Sequence, residues 1–283
     1  MNSRALMVWV VLSVAVAGGA SCPQMLHQYT RPMPRILPEG PTAEQIVSAI
    51  NANTSRVRTL HAPQARVDGR GFPSLRANLV IERPSRFRLT AETPLTGPEV
   101  DLGSNEELFW MWARRPQPTL YFCQHSRFAS SAARQMFPIE PRWLIEAVGL
   151  VEIDPSAQHA GPYEAGLGRL RIETRGGPQS PVRVTIVDST SGWVLEQLLY
   201  DAGGHLLARS VASNHRLDAA SGAGLPQRVD VQWPPTGLEL QLDLGDPIVN
   251  TVDGVSPTLF ALPEYAGSAR IDLSNPNVQM TAN

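Results

Sequence analysis

The 283-residue chain contains no lysine; all 24 of its basic residues are arginine. Against 26 acidic residues this gives a formal charge of −2. No basic field exists to hold a polyanion, which argues against nucleic acid as the partner. A GC-rich coding bias accounts for the missing lysine, and arginine on a strand lays its stem on apolar surface while its head stays wet. Only two cysteines occur, Cys22 and Cys123. Charged residues make up 18% of the chain, against about 25% in an average soluble domain. That deficit suits a protein with an apolar cavity, and also one with an export signal and a proline-rich tail. The six histidines show no HExxH and no paired metal spacing. There is no G-x-S-x-G, no Walker loop and no Rossmann fingerprint. The sequence therefore reads as a non-enzyme that needs no cofactor or metal.

What is present begins with an export signal over residues 1–21. Arg4 supplies its positive start, Ala5 to Gly18 its apolar core, and Gly19-Ala20-Ser21 the small residues before Cys22. The apolar run is shorter than the ~20 residues of a comfortable membrane span. Small residues directly before a cysteine resemble a bacterial lipobox, although Gly19 stands where leucine is usual. Acyl chains on Cys22 would hold the protein on a membrane, each buried CH₂ contributing ~0.8 kcal/mol. Ordinary cleavage and an uncleaved anchor are the alternatives. Residues 22–41 form a tether whose five prolines favour extended geometry at ~3.1 Å per residue.

The body is expected over residues 42–262. Thr42 with Gln45 three residues later marks a capping box. Ile46, Ala49, Ile50 and Val57 share one side of the helix that follows, with Asn51, Asn53 and Ser55 mostly away from it. From Ala62 onward alternation dominates. Phe87, Leu89 and Ala91 alternate with Arg86, Arg88 and Thr90; Val100 and Leu102 alternate with Glu99 and Asp101. Between these strands one bare leucine, Leu95, stands between Pro94 and Pro98. A following strand carries Trp110 and Trp112 on one face. Pro138 and Pro141 open a second helix, in which Trp143, Leu144, Ala147 and Val148 recur before Gly149 ends it. Further alternating runs follow, ending with Leu238, Leu240, Leu242 and Leu244, and Asp201 to Gly204 reads as a hairpin turn. The sum is mainly β with two or three helices (α+β), with ten or eleven strands. So many strands do not stay flat, which predicts a strongly curved antiparallel sheet, an incomplete barrel with helices over its mouth. The polar tail, residues 263–283, is expected to fray.

The order of these motifs resembles the LolA/LolB-type lipoprotein-sorting proteins, LolB more closely. The resemblance rests on Arg86, Arg88 and Leu89, on Pro94-Leu95 with Gly97, on Val100 and Leu102, on Arg142 to Leu150 with its tryptophan, and on Leu225-Pro226 through Leu240. Thr96, the insert at residues 127–141 and the long C-terminal tail depart from the pattern. The resemblance implies a half-barrel that accepts acyl chains of lipoproteins. It implies a periplasmic carrier as partner and an outer-membrane location facing the periplasm. The residue after Cys22 is Pro23, not an aspartate retention signal, which agrees with that location. Pro94 and Leu95 become the membrane-contact loop. Phe87, Leu89, Val100, Leu102, Trp110, Trp112, Trp143, Leu144 and Leu240 become the acyl-cavity lining, although the same residues suit a plain core. Cys123 reads as a small buried hydrophobe, with a Cys22–Cys123 disulfide as the rival. A carrier for another lipid or glycolipid, and a structural adaptor whose sheet is filled, are the competing functions.

Overall fold

The computed structural model describes residues 34–70, 72–137, 139–177, 180–250 and 256–278. The expected signal and Cys22 lie outside the described residues. The first helix, α1 (Ala43–Ser55), starts where the capping box places it. The Thr42 side chain accepts from the Gln45 N–H and the Gln45 side chain accepts from the Thr42 N–H. Among the described residues seventeen strands follow: β1 (Thr59–Gly69), β2 (Phe72–Glu82), β3 (Arg86–Thr93), β4 (Gly97–Ser104), β5 (Leu108–Ala113), β6 (Thr119–Gln124), β7 (Gln158–Glu164), β8 (Arg169–Arg175), β9 (Val182–Asp188), β10 (Val194–Tyr200), β11 (Leu206–Ser213), β12 (Arg216–Leu217), β13 (Gly224–Leu225), β14 (Arg228–Trp233), β15 (Leu238–Asp243), β16 (Ile248–Val249) and β17 (Ala269–Asp272). The count exceeds the predicted ten or eleven partly because β12, β13 and β16 are two-residue pairings too short to show alternation.

One sheet takes fifteen of these strands in the order β17-β6-β5-β4-β3-β2-β1-β15-β14-β11-β10-β9-β8-β7, with β16 beside β1. Its pairs are antiparallel except β17 with β6. The order is an open path with β17 and β7 at its ends, so the strand pairing alone gives a long open sheet and not the incomplete barrel expected from the sequence.

Register assigns side chains to faces. Ala62, Leu79, Leu89, Leu102, Met111 and Tyr121 are successive cross-strand partners from β1 to β6, and so share a face. Ile172, Thr185, Gln197, Ser210, Val231 and Leu240 form a second such row from β8 to β15. Both rows meet helices, and this side is called the inner face below. At one end, Ile46, Val47 and Ile50 of α1 pack with Ile172, Val187 and Val194. At the middle, α2 (Ala133–Met136) and α3 (Trp143–Ala147) lie within the insert between β6 and β7. The helix predicted from Pro138 onward is only five residues long. Gly149, at φ +95, ends it as expected, and a Cβ there would lie 2.8 Å from Pro226 Cδ.

Buried polar residues fix these helices. Gln197 and Ser210 donate at 2.8 Å to the Glu146 and Ala147 carbonyl oxygens at the end of α3, where helix carbonyls run out of intrahelical donors; the Glu146 oxygen also accepts from the Gly149 N–H at 2.9 Å. Asn53 donates to the Gly224 carbonyl and accepts from its N–H, and Asn51 forms the same pair with Ile153. Asn53 is buried, contrary to its expected place away from the packed side. An amide that both donates and accepts imitates a strand neighbour, which a hydrophobic pattern cannot reveal. The tail also departs from expectation. Over residues 263–278 it is tied down by β17, by buried Leu273 and by the Tyr265 ring stacked on Trp112 at 4.1 Å.

Two outcomes follow for the α1 region. Asn53→Ala removes two buried hydrogen bonds and leaves the Gly224 backbone unpaired, so urea unfolding should show a loss of about 2–4 kcal/mol. An unchanged midpoint would mean that the Asn53–Gly224 pair is dispensable for holding α1. His215, stacked on Trp193 beside this helix, is held below the usual histidine pKa by burial, partly offset by its Nε2 contact with the Val194 carbonyl and by Asp188. The unfolded chain takes up that proton first, near pH ~6.5. Stability is therefore full above that pH and declines as the pH falls below it. His215→Phe should flatten this part of a stability–pH profile measured from neutral to mildly acid solution; an unaltered slope would place the titration elsewhere.

Candidate lipid-binding surface

The inner face carries two apolar clusters that share a seam. One gathers Leu60, Leu79, Phe87, Leu102 and Leu242 under Ile145 and Val148. The other gathers Phe109, Phe137, Trp143, Val229, Val231 and Trp233. Met111, Leu144 and Leu240 touch both and remain half-buried, as do Leu89 and Val100 against the first cluster. These five side chains come from β5, α3, β15, β3 and β4. The reason they are not fully covered is geometric. At ~1.5 Å per residue, five-residue α3 is only about 7.5 Å long. It cannot shield a face that many strands wide.

Of the lining residues read from the sequence, the structure brings Phe87, Leu89, Val100, Leu102, Leu144 and Leu240 into the first cluster and Trp143 into the second. Phe87 and Leu102 are buried core, whereas Leu89, Val100, Leu144 and Leu240 keep exposed surface. Trp110 and Trp112 are not brought together with them. They point to the opposite face, where they pack with Leu120 and the C-terminal segment. Phe109 and Met111 occupy the inner positions of that strand. Alternation placed the two tryptophans correctly on one face; β5 is apolar on both, so its sequence does not say which is inner. Met111 lacks a directional signal for the same reason; Trp233 follows the alternation of Val229 and Val231 with Arg228, Asp230 and Gln232 on β14, and Phe137 sits just after α2, where no strand alternation applies.

Leu95 stands at the tip of the β3–β4 hairpin and is 96% exposed. Its loop is built to display it. Thr93 Oγ1 accepts from the Thr96 N–H at 3.0 Å, the Thr96 hydroxyl donates to Glu99, and Gly97 takes φ +75, where other residues are strained. Pro94 beside it is exposed too. At the β7–β8 tip, Leu167 is likewise fully exposed between Gly166 and Gly168, both at positive φ. The Gly-Leu-Gly run is the sequence signal of this second bare tip.

On the outer face, Asp101 is fully buried and accepts four hydrogen bonds from three side chains. Arg88 donates at 2.6 and 3.2 Å, Trp110 Nε1 at 3.1 Å and the Tyr265 hydroxyl at 2.5 Å. Burial, and then the Asp101 carboxylate, push the Tyr265 hydroxyl well above its usual pKa, so it remains a donor. Gly103 makes room for this hub: a Cβ there would lie 2.1 Å from the Trp110 ring. One arrangement resembles catalytic machinery. The His125 Nε2 lies 3.2 Å from Ser104 Oγ, and its Nδ1 contacts Glu140. Yet Nε2 also faces the Asn105 carbonyl oxygen at 2.9 Å, which only an N–H satisfies, and Ser104 has no exposed surface for a substrate to reach. Cys123 is buried, forms no disulfide among the described residues, and lies beside the Ser131 and Ser274 hydroxyls. Among the described residues no cluster of His, Cys, Asp or Glu could hold a metal, and no helix is long and apolar enough to cross a membrane.

No protein-family model and no curated protein matches the chain. Solved structures do. A DUF1329 family protein from Desulfovibrio piger superposes with a TM-score of 0.53 at 12% identity, over 77% of this chain and 95% of that one. A domain assigned to outer membrane lipoprotein sorting from Vibrio parahaemolyticus gives 0.51 at 14% identity, over 77% and 97%. A LolA superfamily protein from Nitrosomonas europaea gives 0.45 at 13% identity, over 76% and 97%. The chain thus has the fold of lipoprotein-sorting and DUF1329 domains, as its motif order indicates.

Asp101→Ala would leave Arg88 in the sheet without its counter-charge. Losing one partner of a buried pair costs about 3–5 kcal/mol. Denaturant unfolding should show that loss, together with faster proteolysis after residue 255 as Tyr265 lets go. Wild-type stability in this variant would mean the hub is dispensable.

Proposed function

We propose that this chain is a non-enzymatic envelope lipoprotein that binds acyl chains on the inner face of a half-barrel and passes lipoproteins towards the outer membrane. The observation that carries the reading is the half-buried seam of Leu89, Val100, Met111, Leu144 and Leu240, apolar side chains left partly bare between two packed clusters. Three rings support the curvature. Phe109 on β5 and Trp233 on β14 both pack on Phe137, with centroids 5.6 and 6.4 Å away. Those strands are six places apart in the sheet, which laid flat at ~4.8 Å per strand would separate them by about 29 Å. A bent sheet reconciles the two.

An acyl chain of about a dozen CH₂ groups gains on the order of 10 kcal/mol on leaving water, at ~0.8 each. No catalytic group is needed to draw such a chain from a carrier; a difference in affinity between carrier and receptor sets the direction. Cys22 is the lipid anchor, and Leu95 with Pro94 dips into the bilayer during delivery. The fold shared with an outer membrane lipoprotein-sorting domain and the lipobox-like start support an envelope location.

The test uses a fluorescent fatty acid and the variants Leu144→Glu and Leu95→Glu. Wild type should bind saturably. Leu144→Glu should bind at least tenfold more weakly. Leu95→Glu should bind normally yet deliver lipoprotein to vesicles more slowly. Absence of saturable binding in the wild type rules the reading out and leaves an adaptor with a filled sheet. Unchanged delivery by Leu95→Glu removes the loop from the mechanism. Mass spectrometry of ligand extracted from the native protein separates lipoprotein acyl chains from a glycolipid cargo.

A further inference from the structure

The outer face of β1–β4 holds a groove of about 860 Å³ that the transport reading does not use. Its floor is the outer side of β2 and β3. One wall is Pro63-Gln64, where β1 bulges away from β2 between Ala62 and Ala65. The other wall includes Tyr265, held upright by Trp112 and Asp101.

Donors dominate this groove. Arg66 and Arg76 are direct cross-strand partners, so their guanidinium groups leave the sheet side by side. Both are exposed, and neither forms an ion pair among the described residues. Like charges directly opposite each other destabilise a sheet. Asn78, on the same face, accepts from His61 through Oδ1 at 2.9 Å, which leaves its Nδ2 with no partner among the described residues. Thr90 stands directly opposite Asn78. Arg88 also lines the groove but is committed to Asp101 and the Leu259 carbonyl. Among the described residues Glu92, opposite Arg76, is the only acidic residue on the lining, and it does not reach Arg76; Asp243, opposite Arg66 on β15, lies off the lining and forms no ion pair with Arg66.

We propose that this groove is a site for a phosphate group, held between Arg66 and Arg76 with Asn78 as a further donor. Paired guanidinium groups present planar N–H forks that match phosphate oxygens, and such charge-assisted bonds are about twice as strong as neutral ones. The phosphate can belong to a soluble ester or to a lipid headgroup. The second source fits the position of the groove. Arg76 lies opposite Glu92, three residues before Leu95, so the pair sits about 10 Å behind the tip at ~3.3 Å per residue. A leucine inserted ~5–10 Å into the interface would bring the arginines to headgroup depth. That arm rests on Leu95 as a membrane contact; the soluble arm does not.

The test compares wild type with the double variant Arg66→Gln/Arg76→Gln. Glycerol phosphate binding is followed by calorimetry, and vesicle binding by co-sedimentation with phosphatidylglycerol against phosphatidylcholine. Wild type should bind at least one of the two anionic probes, and the double variant should bind it at least tenfold more weakly. Glycerol phosphate binding assigns a soluble ester; binding confined to phosphatidylglycerol vesicles assigns the headgroup. Without ligand, the double variant should melt at the same temperature as wild type or higher, since a repulsion has been removed. Equal binding by both proteins, binding of neither probe, or a lower melting temperature of the variant overturns the proposal. Fatty-acid binding should be the same in both proteins, so failure here leaves the acyl-chain reading standing on its own test.

Discussion

An apolar sheet face this wide must be covered, and a single stretch between β6 and β7 does most of the covering. Phe137, Trp143, Ile145, Val148 and Leu150 bury themselves on strands from both halves of the sheet. The stretch is not held by apolar contact alone. Gln197 and Ser210 rise from the inner face to cap the end of α3, and Arg183 pairs with Glu146 on the same helix at 2.6 Å. Burial pushes the Glu146 carboxyl upward in pKa, against the pull of Arg183. Polar anchors of this sort fix position where hydrophobic contact would let a short helix slide. What the stretch leaves uncovered, the seam through Met111, Leu144 and Leu240, is a consequence of its shortness.

The two faces of the sheet are put to different uses. The inner face is apolar and partly bare. The outer face, over β4 to β6, is closed by the C-terminal segment through stacked Trp112 and Tyr265 and the buried carboxylate of Asp101. Over β1 to β3 that cover stops and the arginine groove opens. A fully buried carboxylate is tolerated because four donors surround it; with fewer it would be among the most destabilising groups in the chain. Anchoring the C-terminal segment there keeps the apolar outer side of β5, with Leu108, Trp110 and Trp112, away from solvent.

Much of this was legible in the sequence wherever one face of an element is polar. The capping box at Thr42 and Gln45 and the alternation around Phe87 and Leu102 translated directly into structure. So did the bare Leu95 and the stop at Gly149. The legibility failed where the pattern has no polar side. On β5 every residue is apolar, so which of Phe109 or Trp110 turns inward is settled by what packs against it: Phe137 on one side, Tyr265 on the other. It failed again where polar residues substitute for backbone neighbours, as Asn53 and Gln197 do. Tyr265 illustrates the third case. A polar-looking tail became part of the fold through one ring and one hydroxyl, contacts made across more than 150 residues of sequence.

The central claim is that a hydrocarbon chain enters the inner face beside α3. The tryptophans offer a direct reading, because Trp143 lies on that face and Trp112 on the other. Brominated fatty acids quench only indoles they approach closely. In variants that keep a single tryptophan, the account predicts saturable quenching of Trp143 and none of Trp112. Quenching of Trp112 with Trp143 untouched, or of neither, would contradict it.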